Sequence, residues 1–242
     1  MVDSSLQSDL EKLAREMGAD LFGVADLTVA HDLIFEKEDY LGKFPWAVSI
    51  GFRLIDSVVD ALIRHSDPAV VFTYLALYDS VNSRLDQIAL LTAKKIQETG
   101  YLAYPVPASQ SIDAYRFSTH KKLGLTGAFS HKLAAHLAGL GWIGKSCLLI
   151  TLQYGPRVRF ATVLTDAPLK AGSPIDPKCG VCRECVDICP PKAFTGVDFN
   201  ASEPREIRFN AHLCRDYCIS REDKLGVRMC GLCVSICPYG RS

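Results

Sequence analysis

Leu6, Leu10, Leu13 and Met17 recur at helical spacing near the start of the chain. Ser4 or Ser5 can cap that helix and Gly18 can stop it. The run LFGVAD predicts a short strand over 20–25, and WAVSIG predicts a second over 46–51. Residues 69–98 carry the longest helical pattern, with Tyr74, Tyr78, Val81, Leu85, Ile88 and Leu91 on one face and Gly100 past its end. These aromatics read as core. Pro105 and Pro107 interrupt the extended segment YLAYPVPASQ. Residues 112–128 are polar and glycine-punctuated, as in a loop over a site. Ser130 can cap a helix running to about Leu140. The apolar, β-branched runs 147–152 and 158–164 predict a hairpin across Tyr154-Gly155-Pro156. AGSPIDP at 171–177 reads as a linker. The fold class is α+β overall, with an α/β domain over 1–171 and a different, cysteine-rich domain over 172–242.

Composition adds bounds. A chain of 242 residues has room for one large domain or two modest ones. Hydrophobic residues at 48% and charged residues at 22% are ordinary for a folded soluble protein. The formal net charge is zero, and residues 172–242 hold ten Lys/Arg against nine Asp/Glu. Charge alone therefore argues against nucleic-acid binding. No apolar stretch reaches the length of a membrane span. MVDSSLQSDLEK lacks the basic and apolar regions of a signal peptide, and there is no Arg-Arg pair. The expected location is the reducing cytoplasm, away from any membrane.

The cysteines change the picture most. Nine of the ten fall in the last 64 residues. Eight of them form a ladder: Cys179-x2-Cys182-x2-Cys185-x3-Cys189-Pro190, then Cys214, then Cys230-x2-Cys233-x3-Cys237-Pro238. This is the spacing of a two-cluster bacterial ferredoxin, in which the cysteine before proline serves the other cluster. The expected ligand sets are Cys179, Cys182, Cys185 and Cys237 for one [4Fe–4S] cluster, and Cys189, Cys214, Cys230 and Cys233 for the other. Pro190 and Pro238 stop the local helix. Zinc usually takes CxxC pairs about 15–20 residues apart, and it would leave Cys185 and both Cys-Pro steps unexplained. Disulfides would need an oxidising compartment. Cys218 lies one helical turn from Cys214 and is an alternative ligand. Cys147 lies outside the ladder and reads as a small buried hydrophobe.

Gly139-Leu-Gly141-Trp142-Ile-Gly144-Lys145-Ser146 satisfies both GxxxxGK[ST] and GxGxxG. Phosphate binding needs a strand, then the loop, then a helix whose N-terminus meets the phosphate. Here a helix comes first and a strand-like run follows, and Trp142 is bulky for a phosphate wrap. The nucleotide reading fails on context. The glycines still leave backbone exposed for close approach to another ligand.

HKLAAHLAGLGWIGKSCLLI, the later TVLTDAPL, the opening LAREMGADLFGVADLT and the cysteine ladder together resemble the epoxyqueuosine reductases and their relatives, the reductive dehalogenases. Asn210-Ala-His-Leu-Cys214-Arg-Asp-Tyr217 is similar to the segment that supplies the family's lone cysteine of the second cluster, which favours Cys214 over Cys218. The resemblance implies a nitroreductase-like N-terminal domain that binds cobalamin with its lower base detached (base-off). It also implies that the two clusters feed electrons to cobalt. On that basis Ser130, Gly139, Gly141, Trp142, Gly144 and Lys145 are expected to contact the corrinoid. His131 or Tyr115 is expected to donate the proton, with His120 a further candidate.

Two departures bear on the substrate. Leu125 stands where the family's tRNA-modifying members carry a proton-donating Asp. The chain also stops five residues after Cys237, before the helical-repeat extension of those members. The expectation is therefore a cytosolic reductase in which an external low-potential donor, a ferredoxin or flavodoxin, feeds two clusters and a corrinoid that reduces a small molecule. Epoxyqueuosine reduction in tRNA ranks behind it. The rivals are a reductive activator acting on a separate corrinoid protein, and a corrinoid-free electron-transfer adaptor.

Overall fold

The computed structural model describes residues 2–30, 40–109, 127 and 129–241. In chain order its main elements are α1 (Ser4–Glu16), β1 (Leu21–Asp26), β2 (Trp46–Arg53), α2 (Asp56–Asp60), α3 (Pro68–Glu98), β3 (Ala103–Val106) and α4 (His131–Leu137). There follow β4 (Trp142–Ile143), β5 (Leu149–Ile150), β6 (Val158–Thr165), α5 (Glu184–Asp187), α6 (Ala211–Ser220), α7 (Glu222–Leu225) and α8 (Leu232–Ser235). The chain forms two compact units: 1–52 with 82–141 and 159–175, and 53–81 with 142–158 and 176–242.

The first unit is built on a four-stranded sheet in the order β1-β2-β6-β3. β1 pairs antiparallel with β2 from Leu21↔Gly51 to Asp26↔Trp46, and β3 pairs antiparallel with β6 from Ala103↔Thr165 to Val106↔Thr162. β6 is buried along nearly its whole length and β2 through its central five residues, as central strands covered on both faces should be. Leu27, Phe44, Val106, Phe129, Leu137 and Leu164 form a core cluster with residues of β1, β2, β3, β6 and α4. α4 packs on β1. Gly23 lets this happen, because a Cβ there would stand 2.9 Å from Leu140 and 3.2 Å from Ala138.

α1 is capped by Asp3, whose carboxylate accepts the Leu6 N–H at 2.9 Å, rather than by Ser4 or Ser5, which lie inside the helix. A carboxylate also suits the positive end of the helix dipole. On α3 the buried stripe runs through Val71, Tyr74, Val81, Leu85, Ile88 and Ile96, with Thr92 in line. Leu91 is 40% exposed, because a 3.6-residue period carries the stripe from Ile88 to Thr92. Gly100 adopts φ +90 past the helix end.

The expected hairpin does not form. Leu149–Ile150 pairs back with Trp142–Ile143, giving a separate two-stranded sheet, and β6 joins the main sheet instead. The turn at Tyr154-Gly155 is closed by the isolated bridge Thr151↔Gly155. Cys147 is buried at 4% exposure, as expected, with φ +53 in the turn between β4 and β5.

The second unit carries the cysteine segment. α2 and the turn at 61–64 pack on α8. The Arg157 side chain is fully buried and pairs with Asp56 and Asp60. Arg221, also buried, donates to the carbonyls of His65 and Met229 and, at 3.3 Å, to the Tyr217 hydroxyl.

Candidate functional site

The ladder's short spacings fold into one-turn helices. α5 holds Cys185 and ends before Cys189; α8 holds Cys233 and ends before Cys237. Pro190 and Pro238 follow at once and prevent continuation.

Cys179, Cys182, Cys185 and Cys237 line one cavity together with Lys145, Ser146, Ile150, Pro238 and Tyr239. Burial pushes the Cys185 thiol up to about 12, and nearby Cys237, Cys179 and Cys182 push the same way. The Cys237 thiol is pushed up to about 11, mainly by burial, with Cys179 and Cys182 adding. Without a cation these sulfurs resist shared ionisation. Bound iron reverses that, since a coordinating thiol is deprotonated outright. The donor set therefore fits an iron–sulfur cluster.

The second set gathers beside the first. Cys189 is buried with Val186, Ala193 and Phe194, and Cys214 and Cys233 pack against that cluster. Burial raises the Cys233 thiol, and Cys230, Cys214, Cys185 and Cys189 act on it in the same direction. Burial likewise raises Cys230, within reach of Cys214 and Cys189. A side-chain hydrogen bond between Cys218 and Cys214 favours the Cys214 thiolate and holds the Cys218 thiol protonated. Of the two, Cys214 is the better thiolate and Cys218 the donor. Phe194 stacks on Phe209 at 5.1 Å and backs the segment leading to Cys214.

The glycine-rich loop is placed piece by piece. Ser130 caps α4 through the Leu133 N–H at 3.3 Å. Gly139 stands at φ +75, where a Cβ would lie 2.5 Å from the Ser173 carbonyl oxygen. The Gly141 carbonyl bonds His136 Nδ1 at 3.1 Å. Trp142 is fully buried and its indole N–H donates to Cys179 Sγ at 3.5 Å. A Cβ on Gly144 would come within 3.2 Å of the same sulfur. The Lys145 ammonium donates to the Gly180 carbonyl at 2.5 Å. Trp142, Gly144 and Lys145 thus converge on the first cysteine set.

His131 Nδ1 meets Thr162 Oγ1 at 2.8 Å and Nε2 meets the Pro107 carbonyl at 2.9 Å. A carbonyl can only accept, so in the neutral ring Nε2 carries the proton and donates to Pro107, and Nδ1 accepts from the threonine hydroxyl. Burial, helped by the Arg159 charge, lowers the imidazole to about 4 against the opposing Pro107 bond. It is neutral at neutral pH. Tyr115, His120 and Leu125 lie outside the described residues.

Sequence reasoning missed Tyr239 and Arg157. Tyr239 packs edge-on against Trp142 at 4.8 Å and donates to the Lys178 carbonyl at 2.9 Å, beside Cys179. Its position directly after Cys237-Pro238 was the available signal. Arg157 offered none, because its partners lie about a hundred residues upstream.

Residues 178–240 match the family model of the 4Fe-4S double cluster binding domain. Over 98% of the chain, 27% of aligned positions are identical to the epoxyqueuosine reductase of Listeria monocytogenes, of whose length the chain spans 65%. A solved reductive dehalogenase, described as suggesting a mechanism for B12-dependent dehalogenation, shares the fold with TM-score 0.70 at 20% identity, over 96% of this chain and 31% of that one. An epoxyqueuosine reductase solved with an epoxyqueuosine-modified tRNA-Tyr stem loop shares it with TM-score 0.58 at 20% identity, over 98% of this chain and 65% of that one. The resemblance carried by the glycine loop and the cysteine ladder is borne out, and so is the α+β fold with a C-terminal two-cluster domain.

Proposed function

We propose that the chain is an iron–sulfur reductase that passes electrons singly from a ferredoxin or flavodoxin through two [4Fe–4S] clusters. Cys179, Cys182, Cys185 and Cys237 hold one cluster, and Cys189, Cys214, Cys230 and Cys233 hold the other. The observation that carries this reading is the pair of gathered, mostly half-buried cysteine sets within a segment matching a double-cluster domain. Each bound cluster supplies one-electron transfer. The protein's own part is to bury the thiols and hold the sets side by side.

The first substrate to test is epoxyqueuosine in tRNA, because the similar curated protein carries that name over nearly this whole chain. Anaerobic protein with a low-potential donor and cobalamin should convert epoxyqueuosine to queuosine in tRNA, read by nucleoside chromatography. Failure with fully loaded clusters would sink this substrate.

The finer reading is that a base-off corrinoid accepts the electrons. Its support is the fold shared with a dehalogenase described as B12-dependent. Against it, of the loop residues expected to contact the corrinoid, Trp142 and Lys145 direct their side-chain donors to Cys179 and Gly180, and the Ser173 carbonyl fills the space beside Gly139. That observation favours, as a second reading, an electron-transfer adaptor without a corrinoid. Anaerobic cobalamin titration separates the two, since only the first predicts a shifted corrin spectrum.

A further inference from the structure

The P-loop-like letters around Trp142 have no use in phosphate binding, yet the structure gives them a place. Trp142 Nε1–H points at the sulfur of Cys179, at 3.5 Å with the ring fully buried. Lys145 lines the cavity of Cys179, Cys182, Cys185 and Cys237, and its side chain is only 8% exposed. Gly144, between them, has no room for a Cβ, which would stand 2.7 Å from Ile150 and 3.2 Å from Cys179 Sγ. The bareness of Gly144 is what lets the loop approach the sulfur closely.

We propose that the segment Trp142–Lys145 sets the reduction potential of the first cluster, with the indole N–H and the lysine ammonium both stabilising its reduced form. This inference rests on the two-cluster reading above. A [4Fe–4S] cluster gains one negative charge on reduction, taken from the donor as one electron. A hydrogen bond to a ligand sulfur and a nearby buried cation both stabilise that added charge and raise the potential. Burial strengthens both effects, because little water screens them. The opposing charges are Asp198, 3.9 Å from the Lys145 ammonium and well exposed, and Glu184, which acts on Cys237 and is paired with Arg241 at 3.9 Å. Neither is buried with the lysine. Tyr239 supports the arrangement by packing edge-on against Trp142 and tying its hydroxyl to Lys178.

The segment acts as an electrostatic and hydrogen-bonding tuner of one cluster only. Cys189, Cys214, Cys230 and Cys233 receive no bond from it. The two clusters should therefore respond differently to substitutions in the segment, which a purely structural role would not require.

The test is an anaerobic redox titration of the iron-loaded full chain followed by electron paramagnetic resonance, with iron content measured on every sample. Trp142→Phe keeps the ring and removes the donor. Lys145→Met keeps length and removes the charge. Lys145→Arg keeps the charge, and Asp198→Asn removes the opposing carboxylate. The expected result is that Trp142→Phe and Lys145→Met each lower one of the two midpoints and leave the other in place, Lys145→Arg restores it, and Asp198→Asn moves it upward. Unchanged midpoints at full iron content would overturn the tuning role and leave the two-cluster reading standing. Loss of one cluster in both Trp142→Phe and Lys145→Arg would assign the segment a building role instead and also overturn it. Wild-type protein that takes up only one cluster would overturn the two-cluster reading and this inference together.

Discussion

Arg157, with no exposed side-chain surface, donates to Asp60 Oδ1 at 2.6 Å across 97 residues of sequence. The same guanidinium reaches Asp56 at 3.3 Å and the Ser235 carbonyl at 3.5 Å, two residues before Cys237. Asp60 is 56% exposed and Asp56 27%, so solvent weakens either carboxylate alone. Asp60→Asn should cost about 1 kcal/mol. Asp56→Asn with Asp60→Asn strands a buried cation and should cost about 3–5 kcal/mol. Denaturant unfolding of the iron-loaded protein measures both. Additive small losses would contradict the buried-pair account.

Gly155 adopts φ +54, and a Cβ there would run into the Tyr239 carbonyl. Gly226 has φ +73 with nothing within 4 Å of its Cβ direction. Gly226→Ala should therefore cost only the left-handed strain, about 1 kcal/mol. Gly155→Ala must also push away the segment carrying Cys237, so it should lose about half its iron as well as stability. Equal effects of the two substitutions, by unfolding and iron analysis, would show that the Tyr239 contact is unimportant.

The periodicities showed most of the local structure. Ser130 does cap a helix, the stripe on α3 is buried from Val71 to Ile96, and the cysteine ladder reads directly as paired sets because ligand spacing is a local property. Pairing partners were less legible. The runs 147–152 and 158–164 read as a hairpin, but residues 149–150 pair back with 142–143 and residues 158–165 take a central place in the main sheet beside β3, a choice of distant partners that local pattern does not encode. The destination of Trp142 and Lys145 was hidden for the same reason: the loop's composition shows close approach to something, while the sulfur it approaches lies 37 residues on.

His131 is held neutral, and that fixes a pH dependence. Its pKa falls from the ordinary 6.5 to about 4 on folding. The unfolded chain takes up the proton near pH 6.5 and the folded one only near pH 4. Stability should therefore be lost as pH falls from about 6.5 to about 4, by roughly 3 kcal/mol at most, and this contribution is flat below that. His131→Gln keeps hydrogen-bonding capacity and removes the titration. Unfolding at pH 7 and pH 4.5 should show a smaller difference for the variant. An equal difference in both proteins would refute the neutral imidazole.

Cys214 and Cys218 divide their roles through one hydrogen bond. Cys214→Ser should lose the second cluster and about half of the iron. Cys218→Ser should keep both clusters. The reverse pattern in iron and sulfide analysis would make Cys218 the ligand.

The central claim is that eight thiols carry two clusters close enough to exchange electrons. Its most direct measurement is the quantitative spin count of the anaerobic, iron-loaded, dithionite-reduced protein. The account predicts about two spins per chain, with the line broadening of interacting [4Fe–4S] centres. One spin per chain at full iron occupancy, or a stable protein that prefers zinc and gives no spin, would contradict it.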